Sequence, residues 1–407
     1  MSESVTYDDI EAARERLDDE SVVKRTPVER STSLGELTDS EVHLKMEHLQ
    51  WTGSFKTRGA YNKIAQLVEA GETDRVVAAS AGNHAQGVAL AATTLGIDAT
   101  IVMPKAAPQA KVDATRGYGA RVELVGQDFQ AAMDHAQGLV DDDATAFVHA
   151  YDDPAIVAGQ GTLGIEMYED CNVDTVIVPI GGGGLISGIA TAMNELSPGT
   201  RVVGVQAEGA ATVPDSLDKG IPVTLDSVNT IADGIATGGI SELTLSLIDE
   251  HVDEIVTVTD GEIARAVLLL MERAKQVVEG AGAASVAALL SEDLDVEGET
   301  VFALLCGGNL DMTMLRTVLI HALTDREQIL RLRVRITDRP GEMNTISSII
   351  GGHDANIRSV RHDRSVPELD VGEAYLVFEI ETSGTGHART IIRSIRDRGY
   401  EVSHENA

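Results

Sequence analysis

One lysine stands out among the residues that could do chemistry, because its neighbours place it at the start of a helix. Lys56 follows a glycine, a serine and a phenylalanine in the segment 53–60, and apolar residues at helical spacing come after it (Ala60, Ile64 and Leu67). The positive end of a helix dipole disfavours an ammonium group. A lysine that loses its proton there is a nucleophile that can form a Schiff base with an aldehyde. The simpler interpretation, a solvated surface lysine, has to be weighed against the rest of the chain.

Two loops, each between an apolar strand and a helix, offer backbone N–H groups to anions. The first, which we call the glycine loop, consists of Gly181, Gly182, Gly183, Gly184 and Leu185. The second, which we call the serine loop, consists of Ser80, Ala81, Gly82, Asn83 and His84. Because N–H groups at a helix N-terminus bind anions, we expect a phosphate at the glycine loop and a carboxylate at the serine loop. The alternatives are a flexible turn for the first and ordinary helix capping for the second.

Two further segments carry candidate residues of a less specific kind. Cys306 follows the apolar run 301–305, and Gly234 lies in a turn at residues 232–236. Alone, the cysteine predicts an inert core thiol and the second segment predicts only a turn. Both become informative only together with Lys56 and the two loops.

Apolar runs that alternate with helical patterns provide the elements that must position these residues. Runs such as 76–79, 176–178 and 301–305 are apolar throughout. Buried runs separated by helices indicate mainly parallel sheets covered on both faces. We therefore predict an α/β fold of two subdomains, with mostly parallel twisted sheets covered by helices, over residues 1–325. A smaller subdomain at about 48–155 is inserted in the larger one.

The pattern changes in the last part of the chain. Residues 323–330 look like a connector, and residues 330–407 then predict a βαββαβ unit of the α+β class. A turn at 338–342 leads from its first strand into its first helix. Upstream of this unit, the apolar spacing over 260–278 predicts one continuous helix.

Charge and composition exclude several classes of partner. The 407 residues carry a formal net charge of −33, and an anionic surface does not favour nucleic acid. The uncharged stretch 175–194 has the length of a membrane span, but Pro179 and the glycine loop interrupt it, so we expect no membrane segment. Two cysteines and an N-terminus without an apolar signal segment favour a cytoplasmic protein.

The acidic excess also predicts adaptation to a salty, halophilic cytoplasm. At about 1 M salt the Debye length falls to roughly 3 Å, so such a surface repels itself less. Nearly all of the excess lies upstream of the C-terminal unit, because residues 331–407 hold 11 basic and 12 acidic residues.

Taken together, these segments resemble the pyridoxal-phosphate enzymes of the tryptophan-synthase-β type, and most closely the threonine ammonia-lyases (threonine dehydratases). The resemblance covers nearly the whole chain, through the ordered segments 54–60, 79–87, 103–108, 159–162 and 181–185. It implies pyridoxal 5'-phosphate as the cofactor and an amino acid as the substrate. L-Threonine would give 2-oxobutanoate and ammonia, and L-serine would give pyruvate.

The resemblance also implies roles for individual residues. Lys56 would hold the cofactor as a Schiff base and, once freed, remove the Cα proton of the substrate. Phe55 would lie against the pyridine ring, Asn83 would hydrogen-bond its hydroxyl, and Gly234 would border it. The glycine loop would hold the phosphate, the serine loop would bind the substrate carboxylate, and Cys306 would face the pyridine nitrogen.

Two positions bear on which reaction follows. A neutral thiol at Cys306 cannot keep the pyridine nitrogen protonated as an aspartate would, which favours prompt loss of a β leaving group over transamination. Ala81 stands where similar serine racemases place a serine, and a methyl group cannot deliver a proton to the second face of the substrate. We therefore expect elimination. The alternatives are a serine racemase or hydroxyaspartate dehydratase on the same scaffold, or a non-catalytic amino-acid sensor.

Two carboxylates are candidates for further roles. Glu208 falls where relatives place a divalent-ion ligand, but Thr212 and Pro214 add no carboxylate, so we expect no metal. Glu279 is either a buried carboxylate beside the cofactor or only a helix-end residue.

The C-terminal unit resembles an ACT domain, a regulatory module that binds amino acids. The resemblance places an effector at the 338–342 turn, with Gly341 in the turn and Asn356 assisting. Isoleucine or valine would suit allosteric control of isoleucine biosynthesis, and an oligomerisation module without a ligand is the alternative. Because ACT units usually need a partner, we expect a homo-oligomer.

Overall fold

The computed structural model describes residues 4–140 and 144–404, so the outer limits of the predicted domains, residues 1 and 407, lie outside it. The chain divides into two units, Met1–Met314 and Leu315–Ala407. We call them the N-terminal unit and the C-terminal unit. The division falls within a helix, Met312–Asp325.

The strands of the described residues are numbered in chain order. They are β1 Val28–Arg30, β2 Glu41–Lys45, β3 Arg75–Ala79, β4 Asp98–Met103, β5 Arg121–Leu124, β6 Thr145–Phe147, β7 Thr175–Pro179, β8 Arg201–Ala207, β9 Glu254–Val258, β10 Thr300–Leu304, β11 Ile329–Thr337, β12 Asn356–Asp363, β13 Glu373–Glu381 and β14 Glu401–His404.

The α-helices are numbered in the same way. They are α1 Tyr7–Arg16, α2 Thr32–Thr38, α3 Lys56–Glu69, α4 Asn83–Leu95, α5 Gln109–Gly117, α6 Phe129–Gly138, α7 Pro154–Asp170, α8 Gly184–Leu196, α9 Val213–Lys219, α10 Glu242–His251, α11 Asp260–Leu269, α12 Gly280–Leu289, α13 Met312–Asp325, α14 Glu342–Gly352 and α15 Thr385–Asp397. Short 3-10 turns occupy Glu47–Leu49, Glu208–Ala210 and Asp233–Ile235, and a π-turn at Leu270–Ala274 extends α11.

The larger sheet of the N-terminal unit has six strands in the order β1-β2-β10-β7-β8-β9. Its neighbours are parallel except for β1, which pairs antiparallel with β2. The central strands β7 and β10 are almost wholly buried, as their apolar sequences predict. The predicted α/β fold with mostly parallel sheets is confirmed.

The smaller sheet has four parallel strands in the order β5-β4-β3-β6. The chain leaves the larger sheet after β2 and returns to it at β7, so this sheet is an insertion. It lies within the range of about 48–155 predicted for the smaller subdomain.

Helix α3 is held by close packing against α7. A Cβ atom at Gly159 would lie 2.6 Å from the Cα atom of Gly59, so the two backbones touch where these helices cross. The N–H of Gly59 also donates to Oε1 of Gln160 at 3.2 Å. This contact fixes the first turn of α3, which is the turn that carries Lys56.

The C-terminal unit contains an antiparallel sheet in the order β12-β13-β11-β14. Its helices α14 and α15 bury apolar residues against one face of that sheet. The order of elements is βαββαβ, as predicted.

Two sequence predictions about element ends were wrong. Residues 323–330 are mostly not a connector, because α13 runs to Asp325 and β11 begins at Ile329. The helix predicted over 260–278 ends at the π-turn, because Lys275 adopts a left-handed backbone with φ 58°. A residue in that conformation cannot continue a right-handed helix.

Candidate active site

A cavity of about 550 Å³ in the N-terminal unit brings the predicted cofactor and substrate residues together. Its lining includes Phe55, Lys56, Ser80, Ala81, Gly82, Asn83, His84, Gly181, Gly182, Gly183, Gly184, Leu185, Gly234 and Cys306. Many of these residues follow the carboxyl ends of β3, β7 and β10, where parallel strands present their loops on one side. The structure brings these residues together, and their roles stay predictions.

Lys56 is the first residue of α3, and its side chain reaches the cavity. Its Nζ atom donates a hydrogen bond to the carbonyl oxygen of Ala150 at 3.0 Å and lies 5.1 Å from the ring centre of Phe55. Burial lowers the pKa of Lys56 to about 8. At pH 7 roughly a tenth of Lys56 is therefore a free, nucleophilic amine, far more than for an ordinary lysine with a pKa of about 10.4.

The glycine loop forms an anion-binding arrangement at the start of α8. Within residues 4–140 and 144–404, the N–H groups of Gly181 through Leu185 have no protein acceptor. Gly183 has a φ of +91°, a conformation that suits glycine. The carbonyl oxygen of Gly182 accepts a hydrogen bond from Oγ1 of Thr244 at 2.9 Å. The loop thus offers N–H donors toward the cavity while its backbone is held from behind.

The serine loop leads from β3 into α4, and Gly82 is the residue before the helix. The N–H of Gly82 donates to Oγ of Ser80 at 3.1 Å, so the hydroxyl organises the loop itself. The imidazole of His84 is buried, and its Nε2 lies 2.9 Å from the carbonyl oxygen of Val148. Burial lowers the pKa of His84 to about 3, so the ring is neutral and donates this hydrogen bond.

Asn83 belongs to a chain of three polar side chains on the cavity wall. Its Nδ2 donates to Oε1 of Glu279 at 2.7 Å, and its Oδ1 accepts from Nδ2 of Asn309 at 2.8 Å. Burial raises the pKa of Glu279, which makes this a carboxylate that readily takes a proton. Glu279 lines the cavity directly before α12, so of its two interpretations the structure favours a buried cavity residue.

Cys306 lies on the same wall as a neutral thiol. Its Sγ donates to the carbonyl oxygen of Ala281 at 3.3 Å. Burial raises the pKa of Cys306 well above its ordinary value, so no thiolate forms near neutral pH.

A cluster of charged side chains lies behind the first turn of α3, in which Lys45, Glu47 and Arg58 are buried and the other two residues are partly exposed. We call it the charged cluster, and it consists of Lys45, Glu47, Arg58, Glu166 and Asp170. The Arg58 guanidinium contacts Glu47 at 2.8 Å and Glu166 at 2.7 Å, while Lys45 contacts Glu166 at 2.9 Å and Asp170 at 2.8 Å. Burial alone would raise the pKa of Glu47, but Arg58 outweighs it and holds that pKa below its usual range.

Sequence analysis missed several residues of the cavity wall. Ala150 and Tyr151 follow β6, and the ring of Tyr151 packs so closely on Gly182 that a Cβ atom there would lie 2.2 Å from it. Lys111 of α5 and Asp233 approach to 3.3 Å across the cavity. The position of residues 150–151 after a strand of the smaller sheet was the available signal. No local signal pairs Lys111 with Asp233.

The predicted regulatory residues lie in the C-terminal unit. Gly341 precedes α14 with a φ of +101°, and Asn356 opens β12, where its Nδ2 donates to Glu381 at 3.2 Å. Glu208, where the resemblance places a divalent-ion ligand in relatives, opens a 3-10 turn. Among residues 4–140 and 144–404, no group of three or more His, Cys, Asp or Glu side chains could hold a metal ion. No helix in the same ranges is long and apolar enough to cross a membrane.

The family described as "Pyridoxal-phosphate dependent enzyme" matches residues 20–307. The chain belongs to this family. It is 45% identical to an L-threonine ammonia-lyase of Thermotoga maritima, over 98% of this chain and 99% of that protein. The structure of the processed form of threonine deaminase isoform 2 from Solanum lycopersicum matches with a TM-score of 0.73 and 35% identity, over 78% of this chain and 95% of that one. The structure of maize serine racemase matches with a TM-score of 0.74 and 33% identity, over 80% and 100%.

The cavity of this pyridoxal-phosphate dependent enzyme fits the cofactor of its family. The unpaired N–H groups of the glycine loop suit a phosphate. Lys56 offers an amine without a carboxylate partner, and the neutral Cys306 suits an unprotonated pyridine nitrogen. Each of these three groups has the chemistry that one part of pyridoxal phosphate requires.

Proposed function

We propose that this chain is an L-threonine ammonia-lyase that uses pyridoxal 5'-phosphate, converts L-threonine to 2-oxobutanoate and ammonia, and also converts L-serine to pyruvate. The observation that carries the proposal is Lys56, a partly buried amine in the cavity with a pKa of about 8 and no carboxylate partner among the described residues. The relative from Thermotoga maritima, matched over nearly the full length of both chains, supports threonine as the substrate.

The residues divide the work of elimination among them. Bound pyridoxal phosphate supplies an electron-withdrawing ring that stabilises negative charge on the substrate's Cα atom. Lys56, with its amine free, takes the Cα proton, and general base catalysis of this kind contributes typically about 10²–10⁴-fold in rate. The glycine loop holds the phosphate through its N–H groups. The serine loop, with Ser80, Ala81, Gly82, Asn83 and His84, binds the substrate carboxylate.

Other residues of the wall orient the ring. Phe55 packs beside it, Gly234 leaves room for it, and Asn83 keeps one N–H for the ring hydroxyl, since its other donor is used by Glu279. Loss of the β-hydroxyl as water leaves a 2-enamine, which tautomerises and hydrolyses in solution to the 2-oxo acid and ammonia.

A 2-oxo acid assay on threonine and serine at high salt tests the proposal. We expect turnover of L-threonine, weaker or comparable turnover of L-serine, and a covalent cofactor adduct at Lys56 after borohydride reduction and peptide mapping. An adduct at another residue, or none, would contradict the proposal and favour a non-catalytic sensor.

Serine racemase is the second candidate, because the maize enzyme has the same fold. Racemisation needs a proton donor on the face opposite Lys56, and Ala81, which lines the cavity, has only a methyl group. Chiral analysis of the products separates the two functions. D-Serine formed from L-serine would contradict the argument that Ala81 prevents racemisation. 3-Hydroxyaspartate belongs in the same substrate series as a test of the dehydratase alternative.

For the C-terminal unit we propose an ACT-like regulatory role, with isoleucine or valine bound at the turn that contains Gly341 and with help from Asn356. The βαββαβ order and the exposed turn before α14 support this role. The proposal includes a homo-oligomer, because paired ACT units share their ligands. A change in the threonine saturation curve with isoleucine, lost in Gly341→Val, would support it; identical curves would favour a purely structural unit.

We also propose a cytoplasmic enzyme adapted to high salt, on the basis of the net charge of −33. Surface self-repulsion weakens as salt rises. The melting temperature of the protein should therefore fall when salt is removed, and an unchanged melting temperature would contradict the adaptation.

A further inference from the structure

The turn at residues 149–152 contacts both halves of the cavity. It follows β6 and precedes α7. Its Ala150 carbonyl oxygen accepts the hydrogen bond from Lys56 Nζ at 3.0 Å. Its Tyr151 ring packs on Gly182 of the glycine loop. Whatever fixes this turn therefore fixes the surroundings of the reactive amine and of the phosphate site together.

His149 holds the turn through its own ring. Its Nδ1 atom lies 3.3 Å from the N–H nitrogen of Tyr151 and 2.8 Å from that of Asp152. Because both groups are donors, Nδ1 must be the acceptor, so the ring is neutral with its proton on Nε2. The ring also meets the Tyr151 ring edge-on, with 4.8 Å between the ring centres.

The environment of His149 keeps it neutral. Burial lowers the pKa of His149, and Lys56 lowers it further, while Asp152 and Asp153 oppose this. From the other side, the neutral His84 donates to the carbonyl oxygen of Val148, the residue before His149. Two uncharged imidazoles thus hold the backbone on both sides of Ala150.

We propose that His149 is a positioning residue, which through Nδ1 holds the Ala150 carbonyl against Lys56 and the Tyr151 ring against the glycine loop. The inference rests on the proposed function for its kinetic consequences. Lys56 acts as a base only while its amine is free, and Nζ can donate to the Ala150 carbonyl oxygen in either protonation state. The carbonyl oxygen limits the directions in which the amine can point, and it accepts a hydrogen bond from the ammonium group that forms when Lys56 takes a proton.

Two substitutions test whether the hydrogen-bond acceptor at Nδ1, rather than the size of the side chain, holds the turn. In His149→Asn, the Oδ1 atom is attached to Cγ as Nδ1 is, so it can accept from the same two N–H groups. In His149→Gln, the acceptor lies one bond further out and cannot. We expect kcat on threonine within about threefold of wild type for H149N. For H149Q we expect a loss of about 10–100-fold, the scale of a misplaced catalytic group, with a much smaller change in KM.

A binding measurement on the apoprotein gives a second readout. Pyridoxine 5'-phosphate has no aldehyde, so its affinity reports the phosphate site without a covalent bond to Lys56. We expect H149Q to bind it at least about tenfold more weakly than wild type because the Tyr151 ring no longer supports the glycine loop, and H149N to bind it within about threefold. His135→Asn on α6, where His135 bonds to Glu123 at 3.1 Å, is the matched control and should change neither value.

Equal kcat and equal affinity in H149N and H149Q would overturn the proposal. If H149Q does not fold, H149N alone decides. A kcat within about threefold of wild type would support the proposal, and a tenfold loss in kcat would overturn it, because an acceptor at this position would then not be sufficient. If the wild-type protein turns over neither threonine nor serine, the proposed function fails, but the affinities for pyridoxine 5'-phosphate still test His149.

Discussion

Two lysines inside the N-terminal unit show how differently the same side chain can be surrounded. Lys45, with no exposed surface, contacts carboxylates of Glu166 and Asp170 at 2.9 and 2.8 Å. Among residues 4–140 and 144–404, the hydrogen-bond partner of Lys56 Nζ is the neutral carbonyl oxygen of Ala150. Burial disfavours the ammonium form of any lysine, and a nearby carboxylate restores it. The lowered pKa of Lys56 therefore depends both on its burial and on the lack of a carboxylate partner among the described residues.

The charged cluster near Lys56 lies behind the first turn of α3, away from the amine. Arg58 lies only two residues further along α3, yet its guanidinium points away into the charged cluster, where two carboxylates bind it. The cavity wall offers backbone N–H groups, amides and a neutral thiol, and its charged side chains Lys111 and Asp233 pair with each other. Strong charges support the first turn of the helix from behind, and the amine at its start stays without a counter-ion.

The largest expected effect comes from removing the unpaired lysine. Lys56→Ala should lower kcat on threonine by at least about 10²–10⁴-fold, because the variant loses the base and the covalent attachment of the cofactor. Steady-state 2-oxo acid production measures the loss. Lys219→Ala, at a surface position, is the matched control and should retain wild-type activity. Full turnover by Lys56→Ala would remove the proposed base.

The paired lysine should matter for stability instead. Lys45→Met removes a buried ammonium group from Glu166 and Asp170, which keep some exposed surface and their arginine partners. The loss should therefore lie below the about 3–5 kcal/mol of breaking a fully buried ion pair. Urea denaturation of the apoprotein at high salt measures this loss in the free energy of unfolding. The folded fraction should keep near-normal activity per molecule. A variant as stable as wild type would show that Arg25 and Arg58 neutralise the cluster without Lys45.

Part of the candidate active site was predictable from the sequence, namely the residues of suitable type that directly follow the end of a strand. Gly181 through Leu185, Ser80 through His84 and Cys306 all follow apolar runs, and parallel strands bring such positions to one side. The structure gathers them around one cavity.

The remainder of the site depends on information that a local pattern does not carry. Ala150 contributes a carbonyl oxygen, which any residue would supply, so its type gives no signal. The contact between Lys111 and Asp233 joins elements far apart in the chain. Strand β9 is only partly buried and is not apolar throughout, so an apolar run does not mark it. The end of the helix after Leu269 has no glycine or proline to mark it, since Lys275 itself takes the left-handed conformation.

The pH dependence of stability should differ between wild type and a variant without the unpaired amine. In the unfolded chain Lys56 binds its proton up to about pH 10.4, whereas in the folded apoprotein its pKa is about 8. Between these values the unfolded state binds more protons, so this group makes wild-type stability rise with pH. Lys56→Met should be more stable than wild type by up to about 3 kcal/mol below pH 8, and the gap should close toward pH 10.4.

Chemical denaturation of both apoproteins at a series of pH values measures that gap. Competitive labelling of lysines over the same pH range gives an independent midpoint for Lys56, with Lys219 as the internal reference. A constant gap across the range, or a midpoint for Lys56 equal to that of Lys219, would show that Lys56 is solvated like an ordinary lysine.

The smallest expected effect belongs to a lysine that is paired but exposed. Lys219 lies 3.4 Å from Asp215, one turn earlier on α9. Exposed pairs of this spacing contribute about 0.3–0.5 kcal/mol, and salt screens them. A double-mutant cycle with Lys219→Ala and Asp215→Ala should give a coupling of this size at low salt and almost none at about 1 M salt. Because the Lys45 side chain has no exposed surface, the cost of Lys45→Met should change less between the same two conditions. A coupling above about 1 kcal/mol between Lys219 and Asp215 would show that a carboxylate can stabilise even an exposed lysine strongly in this protein. Burial would then not explain the difference from Lys45.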